Sequence, residues 1–137
     1  MTRTVDNNGL GALYATFKID KTGQNYDLTT DNLGDAVSLS GGNEVDHGTD
    51  GGQLLGRLEH VANGLATVQI AGVARFDIDT GKTAPQLGNG VVVNGAGKVY
   101  QAPAIDGASG DPPGGNIARG TVIAVDSTNN TCDILLG

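Results

Sequence analysis

The side chains of this sequence that could do chemistry are few and scattered. Asp20, Asp77 and Asp79 are carboxylates of the type that serve as a general acid and base pair or that hold calcium, and Asp77 and Asp79 sit at alternate positions. The spacing of a calcium loop does not continue past Asp79, and carboxylates at alternate strand positions point to a solvated face. Glu44, Asp46, His47 and Asp50 form the local cluster of metal-ligating types, and His60 is the other histidine. One histidine in an acidic, flexible loop does not fix a coordination geometry. Cys132 is the sole cysteine, so no intrachain disulfide can form; it falls in register with Ile134 and Leu136, where a thiol is a small hydrophobe. Gly81-Lys82-Thr83 ends like a phosphate-binding loop, but the glycine required five residues earlier is Phe76. Asn129-Asn130-Thr131 fits a glycosylation acceptor and, more simply, a hairpin turn. No set closes into a catalytic constellation, so the expectation is no enzyme, no cofactor and no metal.

The elements that carry these residues are predicted to be strands. Leu13, Ala15, Phe17 and Ile19 alternate with Tyr14, Thr16, Lys18 and Asp20, which is strand periodicity. Lys21-Thr22-Gly23 turns the chain, Tyr26 to Thr30 suits a short strand, and Leu33 to Leu39 suits another. Ser40 to Gly52, dense in Gly, Asp and Asn, reads as largely loop. Leu54 to Val61 and Leu65 to Ile70 flank Asn63-Gly64, whose residues readily take the positive φ of a tight reversal, and predict a hairpin. Val73 to Asp79 is a further strand. Two more hairpins are predicted, one at Val91 to Tyr100 and one at Thr121 to Leu136. Met1 to Gly11 reads as an arm, and Ala102 to Asn116, rich in proline and glycine, as an inserted loop.

These elements repeat. Phe17-Lys18-Ile19-Asp20 returns as Phe76-Asp77-Ile78-Asp79, and Leu33-Gly34-Asp35-Ala36-Val37 returns as Leu87-Gly88-Asn89-Gly90-Val91. Gly56-Arg57-Leu58 to Ile70 returns as Gly120-Thr121-Val122 to Leu136. Glycines, turns and aliphatics recur whereas reactive side chains do not, so a shape is kept and not a site. The expected fold is all-β: a compact β-barrel or β-sandwich-like domain of two pseudo-repeated halves with an extended N-terminal arm. The division is residues 1–24 for the arm and first strand and 25–137 for the β-domain, with halves at about 17–72 and 76–137.

Composition agrees with a turn-dense β-domain: 137 residues with 23 glycines, no tryptophan and two phenylalanines. The net charge of −7 disfavours a phosphate backbone as partner, because such binding is driven by Lys and Arg. No run of about 18 apolar residues exists to cross a membrane as a helix. The opening residues lack the apolar stretch of a secretory leader, and synthesis in a cytoplasm is expected.

Leu55-Gly56-Arg57-Leu58, Ala62-Asn63-Gly64, Val68 to Phe76, Leu87 to Val91, Lys98-Val99-Tyr100 and the closing Gly120-Thr121-Val122 to Leu136 together resemble the capsid cement, or head decoration, proteins of tailed bacteriophages. The likeness runs from about Tyr26 to Gly137. It implies a β-domain on the outer face of the virion that bridges subunits of the major capsid protein lattice, alone or as a trimer with neighbouring copies, with no nucleic acid or membrane partner. Arg3, Val5, Leu10, Leu13, Tyr14, Ile105, Pro112 and Pro113, in the arm and the inserted loop, are the residues expected to touch capsid or neighbour. The alternative is a small β-rich ligand-binding or adhesion module for carbohydrate, although Tyr14, Tyr26 and Tyr100 offer little aromatic surface for stacking.

Overall fold

The structure, a computed structural model, describes residues 5–104 and 117–137. In chain order the strands are β1 (Leu13–Ile19), β2 (Lys21–Thr22), β3 (Asn25–Tyr26), β4 (Ala36–Gly41), β5 (Glu44–Asp46), β6 (Gly56–Ala62), β7 (Leu65–Ala71), β8 (Val73–Asp77), β9 (Val91–Val93), β10 (Val99–Gln101), β11 (Thr121–Asp126) and β12 (Thr131–Leu135), with a 3-10 turn at Thr30–Asn32 after β3. The protein is all-β, and β1-β5-β4-β6-β7 close into a barrel. In the second half β11, β12 and β8 form one sheet and β9 pairs with β10. Single bridges, Ile78 to Val99 and Val91 to Arg119, join those two sheets into a second ring.

The two halves share one pattern of pairing. Phe17 faces Ala66 and Ala15 faces Val68 between β1 and β7; Phe76 faces Cys132 and Ala74 faces Ile134 between β8 and β12. Leu58 faces Val68 with a register shift before His60, and Val122 faces Ile134 with a register shift before Ala124. The parallel pair Ile19 and Val45 reappears as Ile78 and Val99. Even the turn leading into each barrel repeats. Gly34 donates to the Leu58 carbonyl and Leu58 to that of Asp35, as Gly88 donates to Val122 and Val122 to Asn89. Gly34 and Gly88 take φ of 91° and 86°, a backbone state that only glycine adopts at no cost.

Each half has its own core. Ile19, Leu28, Val37, Val45, Leu58, Ala66 and Val68 fill the first. Ile78, Val91, Val99, Val122, Cys132 and Ile134 hold the matching places in the second, around a fully buried Phe76. Full burial of an aliphatic side chain of this size contributes roughly 1.5–3 kcal/mol, so the pairing pattern is held by the same apolar contacts twice. The cores are not independent, because Ala36 and Leu54 from the first half pack in the second cluster. Backbone bonds from Gly51 to Val93, Val93 to Gly52 and Ala36 to Gly97 tie the halves together.

The structure differs locally from the sequence expectations. Ser40 to Gly52 is largely loop as the sequence predicts, but the short β5 lies within it, because a fully buried Val45 pairs beside Ile19. Of the expected strand at Tyr26 to Thr30 only Tyr26, the last residue of β3, lies in a strand; Thr29 instead caps the 3-10 turn, bonding Asp31 N while the Asn32 side chain accepts from Thr29 N. The strand expected from Leu33 starts at Ala36, after the glycine turn. Asn63 and Gly64 take φ of 54° and 75° and close the β6–β7 hairpin as the sequence predicts.

Candidate functional site

Four of the eight expected contact residues lie among the described ones, and all four are exposed: Val5 by 81%, Leu10 by 65%, Leu13 by 58% and Tyr14 by 52%. Arg3, Ile105, Pro112 and Pro113 lie outside the described residues. Alternation in the sequence places Leu13 on the inner face with Ala15 and Phe17. The register shifts between Leu13 and Tyr14, and Leu13 is exposed at this irregularity, whereas Tyr14 is exposed with Thr16 and Lys18 as alternation predicts.

The arm that carries Val5 and Leu10 is built into the fold in part. Gly9 N donates to the Val73 carbonyl at 2.8 Å, and Val73 N to that of Leu10 at 2.9 Å. Gly72 makes this approach possible: a Cβ there would fall 2.5 Å from the Leu10 oxygen. Asp6 pairs with Arg75 at 3.0 Å, and Arg75 also holds Asp133 at 2.8 Å. These contacts to Asp133 and Asp6, with Asp133 the larger influence, raise the guanidinium pKa further. The exposed apolar residues thus ride on an anchored stretch of chain that crosses from the first half to the second.

The carboxylates weighed for catalysis are dispersed. Asp79 accepts from Asn94 Nδ2 and Gly81 N, which lower its pKa, while Asp77 is exposed on β8. Asp20 stands instead with Asp27 and Asp46, whose ligand atoms lie within 4.8 Å of one another; these three residues could hold a cation. The expected cluster of Glu44, Asp46, His47 and Asp50 is likewise split. His47 Nε2 meets Asp35 at 2.8 Å. Asp50 binds Lys82 Nζ at 3.1 Å and accepts the Tyr100 hydroxyl at 2.9 Å, contacts that lower its pKa and join the two halves. Lys82 of the phosphate-loop look-alike is therefore engaged with a carboxylate. Cys132 is buried, and the lost solvation pushes its thiol up to about 12, the opposite of what a nucleophile needs.

A hollow lined by Thr83, Gln86, Asn89, Tyr100 and Gln101 presents amides and one aromatic ring. Residues that the sequence left unremarked are Arg75, Arg119 and Asp27. The signal for the first was an arginine inside the apolar run Val73 to Phe76, where a charge requires partners. Among the described residues no helix is long and apolar enough to cross a membrane. Neither a family model nor a curated protein matches the chain.

Proposed function

We propose that the protein is a non-enzymatic structural protein of a tailed bacteriophage, bound to the outer surface of the capsid, where it stabilises the head by bridging major capsid subunits. The observation that carries this function is the run of exposed apolar residues, Val5, Leu10, Leu13 and Tyr14, on a segment pinned to the barrels at Gly9, Leu10 and Asp6. Scattered exposed apolar residues need no explanation, but four in ten residues of one anchored stretch suit a protein surface. Weak contacts of this kind suffice on a repeating lattice, where many copies act together and no deep pocket or reactive group is required. The dispersal of Asp20, Asp77 and Asp79 and the engagement of Asp50 and Lys82 support the non-enzymatic part. Incubating the purified protein with preformed heads of the phage that encodes it, followed by sedimentation, tests the proposal: it co-sediments and saturates at a fixed number of copies per capsomer.

A carbohydrate-binding or adhesion module is the second candidate, resting on the amide-rich hollow around Tyr100. Lys82 Nζ already lies over the Tyr100 ring, 5.4 Å from its centre, which weakens it as a sugar platform. Binding to a glycan array with no binding to heads favours this module over the capsid role.

A further inference from the structure

The repeat provides an internal reference for each surface strand, and one pair of equivalent edges differs. On β6 the residues after Leu58 are Glu59, His60, Val61 and Ala62; on β11 the residues after Val122 are Ile123, Ala124, Val125 and Asp126. Among the described residues both stretches pair on one side only, β6 with β7 and β11 with β12. The β6 edge is protected. Glu59 is held by Arg57 Nη1 at 2.6 Å, Val61 is half-buried against the first core, and the 3-10 turn at Thr30–Asn32 packs beside the strand. On β11 the corresponding Ile123 and Val125 are exposed by 39% and 41%, with no charged residue between them. Among the described residues, the connection that matches the one carrying the 3-10 turn is also shorter, residues 80–87 against residues 21–33 in the first half. An exposed apolar edge of this kind is a template for an added strand.

Charge says what sort of strand. The sheet of β8, β12 and β11 carries Asp77, Asp133 and Asp126, and the arm adds Asp6, against the single guanidinium of Arg75, itself held by Asp133 and Asp6. Val5 and Asp6 of the arm, Arg75 of β8, Asp133 of β12 and Val125 of β11 line a hollow over the face of this sheet that reaches β11. We infer that the β11 edge from Ile123 to Asp126 accepts an extended segment of a partner protein in which apolar residues alternate with Lys or Arg, added as a further antiparallel or parallel strand. Main-chain bonds supply affinity, Ile123 and Val125 receive the apolar residues, and the surrounding carboxylates select basic over acidic segments. A second copy of this chain, at net charge −7, meets the same carboxylates and is disfavoured. The inference goes beyond the capsid role and does not depend on it.

A synthetic six-residue peptide of alternating lysine and valine, with a glutamate–valine peptide as its counterpart, is the probe. Hydrogen exchange followed by NMR on the whole chain is expected to show slowed amides within Ile123–Asp126 with the lysine peptide only. Ile123→Lys and, separately, Val125→Lys weaken its binding about tenfold or more, while His60→Lys on the β6 edge leaves it unchanged. Both β11 positions are exposed, and a retained melting temperature shows that the variants fold. Equal binding of the glutamate peptide, protection of other amides only, no binding at all, or a β11-dependent dimer of the chain in sedimentation overturns the inference.

Discussion

The guanidinium of Arg119 donates to the carbonyl of Leu55, and Leu55 is the residue that occupies Arg119's own place in the other half. Leu55 N bonds Val37 O just as Arg119 N bonds Val91 O. Two equivalent positions thus meet at the joint, one apolar and one cationic. Arg119 also reaches the Ile70 carbonyl at 2.7 Å, and its burial there lowers the guanidinium pKa from its usual value. The side chain works as a clasp that satisfies first-half carbonyls from the second half.

Removing that clasp is expected to weaken the whole molecule. Arg119→Ala leaves carbonyl groups at a partly desolvated joint without their donor, which costs about 1–3 kcal/mol. Urea unfolding reads the loss, and Arg119→Lys recovers less than half, because a point charge cannot reproduce the planar fork. A midpoint unchanged in Arg119→Ala shows that the clasp contributes nothing to the joint.

The β6–β7 reversal needs its glycine. Gly64 has φ of 75°, and a Cβ there would lie 2.5 Å from the Tyr26 hydroxyl. Gly64→Val is expected to destabilise by roughly 1–3 kcal/mol, since a β-branched residue resists positive φ even if Tyr26 swings away. Thermal melting checks it, with Asn63→Gly as a variant that keeps the turn and costs far less.

Cys132 makes stability depend on alkaline pH. Burial raises its folded pKa from 9.0 to about 12, so its contribution is whole below about pH 9 and is lost as pH rises from there through 12. In Cys132→Ala, which places alanine where Ala66 stands in the first barrel, the fall in melting temperature between pH 9 and 11 is expected to be shallower than in the parent. The same burial predicts slow alkylation of the native thiol and fast alkylation in urea.

Deleting residues 1–11 removes the Gly9 and Leu10 bonds to Val73 together with the Asp6–Arg75 pair. Two backbone hydrogen bonds at about 0.5–1.5 kcal/mol each set the expected loss, and the exposed ion pair adds little. Denaturant midpoints of the full chain and the deletion measure it. An equal midpoint shows that the anchored stretch contributes nothing to the stability of the fold.

The repeat was legible in the sequence because its markers are local: the glycine turns at Gly34 and Gly88, the Phe17 and Phe76 strands and the two closing hairpins each follow from a few adjacent residues. β5 was not legible. Glu44-Val45-Asp46 has no periodicity long enough to mark a strand, and it forms because Val45 pairs with Ile19, far away in sequence. The outward turn of Leu13 is a register effect that alternation cannot reveal. For the candidate site, the exposure of Val5 and Leu10 followed from their place in a polar arm, and that of Tyr14 from its place among the outward residues of the first strand. The anchoring by Val73 and Arg75 depended on the second half folding against that arm.

The most direct test of the capsid role is the temperature at which heads release their DNA, measured against occupancy by the protein and by a Leu13→Asp, Tyr14→Asp double variant. If the protein bridges subunits, release temperature rises with occupancy until the lattice is full, because a ligand that binds only the intact head stabilises it by mass action. The double variant binds weakly and shifts the curve toward that of bare heads. Heads that fill with the parent protein yet release their DNA at the temperature of bare ones contradict the account.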